Sequence, residues 1–284
     1  MKSKNIRTLA AALVLSAAWS PFLLSPAQAQ DSNTVMEPEY EAENDPFIWL
    51  EETRSERALD WVRAENEKTV AALQTDPRFE ELKVEALAIY NAEDRIPGVS
   101  FTHYGMVNFW QDADNPKGIL RRTTLESWRT DNPEWETILD VDALAAAEGK
   151  EWVYGGMSCL PPDGTRCMVY LSDGGKDARV AREFDLETLD FVPESENPFL
   201  LPESQGGASW VDEDTLLISR DFGEDTVTES FYPFTTREWK RGTPIEEAKE
   251  IFRGEKSDVS AGAYLLRDGE GTIHGRVAYR GLSF

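Results

Sequence analysis

The sequence predicts a mainly β chain, a propeller of about four blades behind an N-terminal helical segment, with a β-sandwich as the competing arrangement. Three observations carry this. The hydrophobic period changes from helical to strand-like near residue 95. After Pro97 short apolar runs alternate with turn signals. Two stretches about 50 residues apart, the spacing of one four-stranded blade, repeat a common pattern of a lead residue, an acidic turn and an apolar strand. They are Leu160-Pro-Pro-Asp-Gly-Thr-Arg-Cys-Met-Val-Tyr and Trp210-Val-Asp-Glu-Asp-Thr-Leu-Leu-Ile-Ser.

Residues 1–29 read as an export signal. Lys2, Lys4 and Arg7 precede an apolar run from Leu9 to Trp19, and Ala27-Gln28-Ala29 supplies a small-x-small cleavage site. A short membrane anchor is the alternative, but a run of about 11 residues falls short of the roughly 20 that span a bilayer. Residues 30–44 are acidic and aperiodic and read as a flexible lead-in. The expected location is the periplasm or outside the cell, with no membrane partner after signal removal.

Residues 45–95 form the helical segment. Thr53 to Glu56 fits a capping box, and Leu59, Val62, Val70 and Leu73 form a stripe near the 3.6-residue period. A second helix is expected to start at Asp76-Pro77, with Asp as cap and Pro in the first turn, and to bury Phe79, Leu82, Ala86 and Ile89.

Residues 96–284 hold the expected strands: Val99 to Tyr104, Met106 to Gln111, Ile119 to Thr124, Trp135 to Asp140, Trp152 to Cys159, Cys167 to Ser172 and Thr215 to Arg220. Turns fall at 114–118, 162–164 and 268–271. Arg182 to Leu189 reads as a blade's outer hairpin turning at Asp185 to Thr188. The two cysteines, Cys159 and Cys167, flank the Pro-Asp-Gly turn and come nearly opposite on paired strands. A disulfide and a pair of small buried thiols both fit that placement.

Charge narrows the partners. The whole chain has 29 basic and 53 acidic residues; without the signal it has 26 basic groups and a net charge of −27. Such a surface repels phosphate backbones and anionic lipid, which argues against nucleic acid as a partner.

The sequence resembles the prolyl oligopeptidase family, especially its exported bacterial members, from Asp45 onward. The resemblance rests on an ordered series of blocks: Asp45-Pro-Phe-Ile-Trp-Leu-Glu-Glu52, Trp61-Val62 with Asn66, Pro116-Lys-Gly-Ile-Leu-Arg-Arg-Thr-Thr124 and Trp135-Glu-Thr-Ile-Leu-Asp140. Leu171-Ser-Asp-Gly-Gly175, Arg182-Glu-Phe-Asp-Leu-Glu-Thr188, Asp212 to Leu217, Asp221-Phe-Gly223 and Trp239-Lys-Arg-Gly-Thr-Pro244 complete it. It implies a serine peptidase in which a seven-bladed propeller caps an α/β-hydrolase domain that carries the Ser-Asp-His triad. The substrates so implied are short peptides cut after proline, with a preference for basic residues as the alternative. On this resemblance Phe47, Trp49 and the helical stripe are a strap for the hydrolase domain, and part of that surface is expected to be exposed here.

The catalytic residues themselves are not expected in this chain. The G-x-S-x-G turn that presents a nucleophilic serine does not occur; Gly281-Leu-Ser-Phe284 only begins like one. His103 and His274 are the two candidate bases, and both are read as structural or exposed. At roughly 45 to 50 residues per blade, Pro97 to Phe284 makes about four blades. The chain is therefore expected to be an inactive N-terminal portion of a longer peptidase, lacking the hydrolase domain. A stand-alone exported binding module on a degenerate propeller is the second reading. No cofactor, metal or catalytic residue is assigned. Glu51-Glu52, Glu80-Glu81 and Glu246-Glu247 are surface acid, Asp212-Glu213-Asp214 lacks the spaced oxygens of a calcium loop, and Gly174-Gly175-Lys176 lacks the phosphate-loop frame.

Overall fold

A computed structural model describes residues 45–52, 55–92, 94–162, 164–229 and 231–283. The proposed signal and lead-in, and Thr53, lie outside the described residues. The described residues form two compact units, one ending at Asp76 and the other beginning at Pro77.

In the first unit a 3-10 turn, Ile48–Glu51, precedes helix α1, Glu56–Leu73. The cap of α1 is Ser55, whose hydroxyl accepts from Ala58 N at 3.2 Å, in place of the expected capping box from Thr53 to Glu56. Phe47 and Trp49 pack against Trp61 of α1, with ring centroids 6.1 and 6.2 Å away, and Arg57 lies over Trp49 at 4.1 Å. Ala58 is the buried residue of α1. Leu59 is half-buried, whereas Val62, Val70 and Leu73 are exposed.

The second unit opens with helix α2, Phe79–Tyr90. The expected start at Asp76-Pro77 is corrected, because those residues form a turn and Arg78 is the cap. The expected burial is corrected too: Phe79 is half-buried, while Leu82, Ala86 and Ile89 are exposed. Periodicity marks an apolar face, but burial requires a second surface, and the described residues do not lay one over α2.

The blades follow as antiparallel meanders. Strands β1 (Ser100–Thr102), β2 (Gly105–Trp110), β3 (Ile119–Thr123) and β4 (Glu136–Asp140) form the first, with helix α3 (Leu125–Trp128) between the last two. The expected strand Val99 to Tyr104 is cut short at Thr102 by the turn that makes a hairpin with β2. Helix α4 (Val141–Glu148), not foreseen from the sequence, leads to the next blade. Asp140 caps it by accepting from Ala143 N at 2.8 Å, and Gly149 stops it in the left-handed conformation, φ 62°.

The second blade comprises β5 (Trp152–Cys159), β6 (Arg166–Asp173), β7 (Arg179–Asp185) and β8 (Asp190–Phe191), with β9 (Leu200–Ser204) pairing the other end of β7. The β7–β8 turn lies where the Asp185 to Thr188 turn was expected. Cys159 and Cys167 sit directly opposite in the β5–β6 register and form a disulfide. The third blade is β10 (Gly207–Asp212), β11 (Thr215–Ser219), β12 (Thr235–Lys240) and β13 (Lys249–Arg253). A hairpin of β14 (Ser260–Arg267) and β15 (Ile273–Gly281) follows. First strands at Ser100, Trp152, Gly207 and Ser260 give a repeat of roughly 50 residues, and the fold is a β-propeller rather than a sandwich.

Strand β6 shows why the blades stack. Its run Cys167-Met-Val-Tyr-Leu is apolar without alternation, as a strand covered on both faces requires. Cys167, Val169 and Leu171 join Leu120, Ile138, Trp152 and Phe184 in one core cluster, while Met168 joins Trp210, Leu216, Ile218 and Trp239 in another. Successive side chains of a strand face opposite ways, so one strand serves the seams toward the first and third blades.

Candidate functional site

The two histidines lie apart in roles as well as in sequence. His103 occupies the β1–β2 turn, exposed, with its ring edge-on to Tyr104 at 4.9 Å. His274, on β15, is 2.7 Å from Asp268 Oδ2, and Asp268 Oδ1 accepts from Thr272 N at 2.8 Å. The His274 hydrogen bond holds the Asp268 carboxyl below the usual carboxylate range. This pair closes the β14–β15 turn. Among the described residues no serine hydroxyl hydrogen-bonds to either imidazole, and Ser283 follows the end of β15 in an exposed position. No cluster of three metal-ligating side chains is present among the described residues.

The acidic and glycine motifs lie in turns between strands. Asp212-Glu213-Asp214 forms the β10–β11 turn, where Asp214 Oδ1 accepts from Arg241 Nε at 3.0 Å and Glu213 O accepts from Arg241 Nη2. Gly174-Gly175-Lys176 turns β6 into β7, and Lys176 pairs with Glu203 at 3.0 Å.

What the tertiary structure assembles instead is a set of seams between blades. Glu183 of β7, with a fully buried side chain, takes both guanidinium arms of Arg241, which follows β12, at 2.7 and 3.1 Å. The same carboxylate accepts from Phe199 N at 2.7 Å, and Arg241 lies 4.3 Å over the Phe199 ring. Tyr170 of β6 donates to Ala208 O and accepts from Ala208 N, both at 3.0 Å, and burial pushes its phenol up. Trp210 Nε1 donates to Ser158 O at 2.9 Å. Between the third blade and the final hairpin, Arg267 Nη2 donates to Trp210 O at 2.9 Å and Val211 O at 2.6 Å. Arg280 grips the buried Asp258 through two bonds of 2.8 Å. Sequence reasoning missed these contacts because the partners lie up to 58 residues apart. The one local signal was Arg241 inside the Trp239 to Pro244 block.

These stacked meanders define the chain as β-propeller in class. The match to the prolyl oligopeptidase N-terminal β-propeller domain covers residues 26–271, and the chain belongs to the prolyl oligopeptidase family. It is 48% identical over 242 residues to an uncharacterized peptidase of Sinorhizobium fredii, covering 85% of this chain and 33% of that protein. The solved structure of a post-proline cleaving enzyme from Rickettsia typhi matches with a TM-score of 0.70 and 32% identity, over 78% of this chain and 33% of that one. Oligopeptidase B from Leishmania major matches with a TM-score of 0.57 at 14% identity, over 78% and 30%, a likeness of fold alone. The chain thus spans about a third of the length of the relatives it matches.

Proposed function

We propose that this chain is the propeller portion of an exported serine oligopeptidase that hydrolyses short peptides after proline, with the blades limiting access to a catalytic domain not contained in these residues. The observation that carries the reading is the 32% identity, over 78% of the chain, to a post-proline cleaving enzyme. The 14% likeness to an oligopeptidase B carries no specificity argument. The exposed Phe47, Val62, Val70 and Leu73 support a role for the first unit as a strap for that domain, since clustered exposed apolar side chains mark an interaction surface. The Cys159–Cys167 disulfide and the signal-like residues 1–29 support export.

The test compares this chain with the product of the longest reading frame at its locus, using an N-blocked Gly-Pro anilide. The longer protein is expected to release the anilide and to lose activity with a serine-reactive inhibitor; the 284-residue chain is expected to be inert. Inhibitor-sensitive turnover by this chain alone, or downstream DNA without a G-x-S-x-G block in any frame, would overturn the proposal. N-terminal sequencing of the secreted product is expected to begin at Gln30, and retention of Met1 would refute export by signal cleavage.

A further inference from the structure

Each sheet of the second unit begins with a hairpin, so the β1–β2, β5–β6, β10–β11 and β14–β15 turns lie at the same end of the blades. The tip of the β5–β6 hairpin, Leu160 to Gly164, meets every other sheet there. Toward the first blade, the His103 ring lies against Gly164, whose φ of +60° and missing side chain admit it. Toward the third, Leu160 packs on the cluster that holds Trp210, and Trp210 Nε1 donates to Ser158 O at 2.9 Å. Toward the final hairpin, Pro162 Cδ lies 2.9 Å from where a Cβ would stand at Gly271, φ +82°. Arg267 extends that last contact, donating from Nη1 to Gly271 O at 2.7 Å and from Nη2 to Trp210 O at 2.9 Å.

Within the tip, Leu160 N donates to Arg166 O at 2.9 Å and Gly164 N to Leu160 O at 2.7 Å, and the Cys159–Cys167 disulfide closes the loop at its base. The two sulfurs are unequally sheltered. Cys167 is fully buried, whereas Cys159 is half-buried and lines a cavity of about 510 Å3, open to solvent, with His103, Tyr104, Met157 and Pro161. An approaching thiolate finds Cys159 first, and a disulfide that a thiolate can reach is the labile kind.

We infer that this bridge is a redox-sensitive latch on the ends of the blades, opened by a dithiol. One thiolate of the dithiol attacks Cys159 Sγ, the Cys159–Cys167 bond breaks, and Cys167 leaves with the electron pair and takes a proton. The second thiolate of the reagent then displaces Cys159, which is protonated in turn. The protein thus gains two electrons and two protons, and the dithiol becomes its own disulfide. With the bridge gone the loop regains chain entropy, and the tip leaves its seats on His103 and Gly271 more often. Oxidised, the four turns are held together; reduced, this end of the blades opens.

Deuterium uptake over the first minutes, read by mass on fragments of the 284-residue chain with and without dithiothreitol, tests the latch. Both cysteines are expected to titrate as free thiols without denaturant after reduction. Fragments covering residues 99–106, 157–168 and 265–275 are expected to take up deuterium about tenfold faster in the reduced chain, while those of β11 and β12 stay protected. The Cys159→Ser/Cys167→Ser protein should match the reduced chain, and reduction of the unaltered protein keeps the test open if that variant fails to fold. Gly271→Ala, whose methyl group collides with Pro162, should show fast uptake in residues 265–275 before reduction and no further rise after it. A bridge that resists dithiothreitol in the native chain, or faster uptake confined to residues 157–168, would overturn the proposal. So would a uniform rise that includes β11 and β12, or a Gly271→Ala protein that responds as the unaltered chain does.

Discussion

The two helices and the blades spend similar apolar side chains in opposite ways. Along α1 and α2, Val70, Leu73, Leu82, Leu87 and Ile89 are exposed, and Ala58 alone is buried. In the second and third blades Phe184, Phe199, Leu171, Leu216 and Ile218 are essentially inaccessible. A helix presents one stripe and needs another element to cover it, whereas a stacked strand is covered on both faces by the neighbouring blades. The contrast teaches that the blades hold their own core, while the helical stripes are left uncovered by the described residues.

The largest effect that sharpens the comparison belongs to the blade core. Phe184→Ala, at 1% exposure, is expected to cost about 3–5 kcal/mol in a denaturant titration of this chain. Leu73→Ala, at 64% exposure, should cost less than about 0.5 kcal/mol. If the helical variant proved as damaging as the core variant, the stripe would be a packed surface in this chain and the contrast would collapse.

Close behind comes the seam ion pair. Glu183→Ala removes the buried carboxylate from the Arg241 guanidinium, four-fifths buried, which keeps Asp214 and the carbonyls of Asn197 and Glu213, so the expected cost is about 3 kcal/mol, the low end for a broken buried pair. The double variant Glu183→Ala/Arg241→Met is expected to recover much of that loss. An unchanged melting temperature in the single variant would show that the seam is held by its aromatic contacts alone.

A smaller effect follows reduction. The Cys159–Cys167 bridge closes a loop of sequence separation 8, so its removal by a thiol reductant is expected to cost about 2–3 kcal/mol. The exposed stripes of α1 and α2 should not respond.

The smallest expected effect is in pH. The Arg280 hydrogen bonds hold Asp258 below the ordinary carboxylate range. Its folded value lies under the unfolded value of about 3.9, so the stabilisation is complete above that pH and fades as pH falls through the folded value. The melting temperature should hold level from pH 8 to 5 and decline below about 4, and Asp258→Asn should flatten that decline. Unchanged acid sensitivity in the variant would remove Asp258 from the account.

Much of the fold was legible because its cues are local. Pro-Asp-Gly between two apolar runs specifies a hairpin, and the hairpin brings Cys159 opposite Cys167 without help from the rest of the chain. Of the site less was legible. Arg241 stood inside a recognisable block, but nothing near it in sequence pointed to Glu183, and nothing near Tyr170 pointed to Ala208 in the next blade.

By itself the sequence determined the strand and helix periods, the turns, the opposed cysteines and the family, all of which rest on residues within a few positions of each other or on ordered blocks. Only the tertiary structure decided that Met168 and Val169 serve different seams, that Glu183 meets Arg241, and that the apolar faces of α1 and α2 stay open. The physical reason is that a period states which side chains share a face, whereas burial and pairing depend on which distant surface is brought against it.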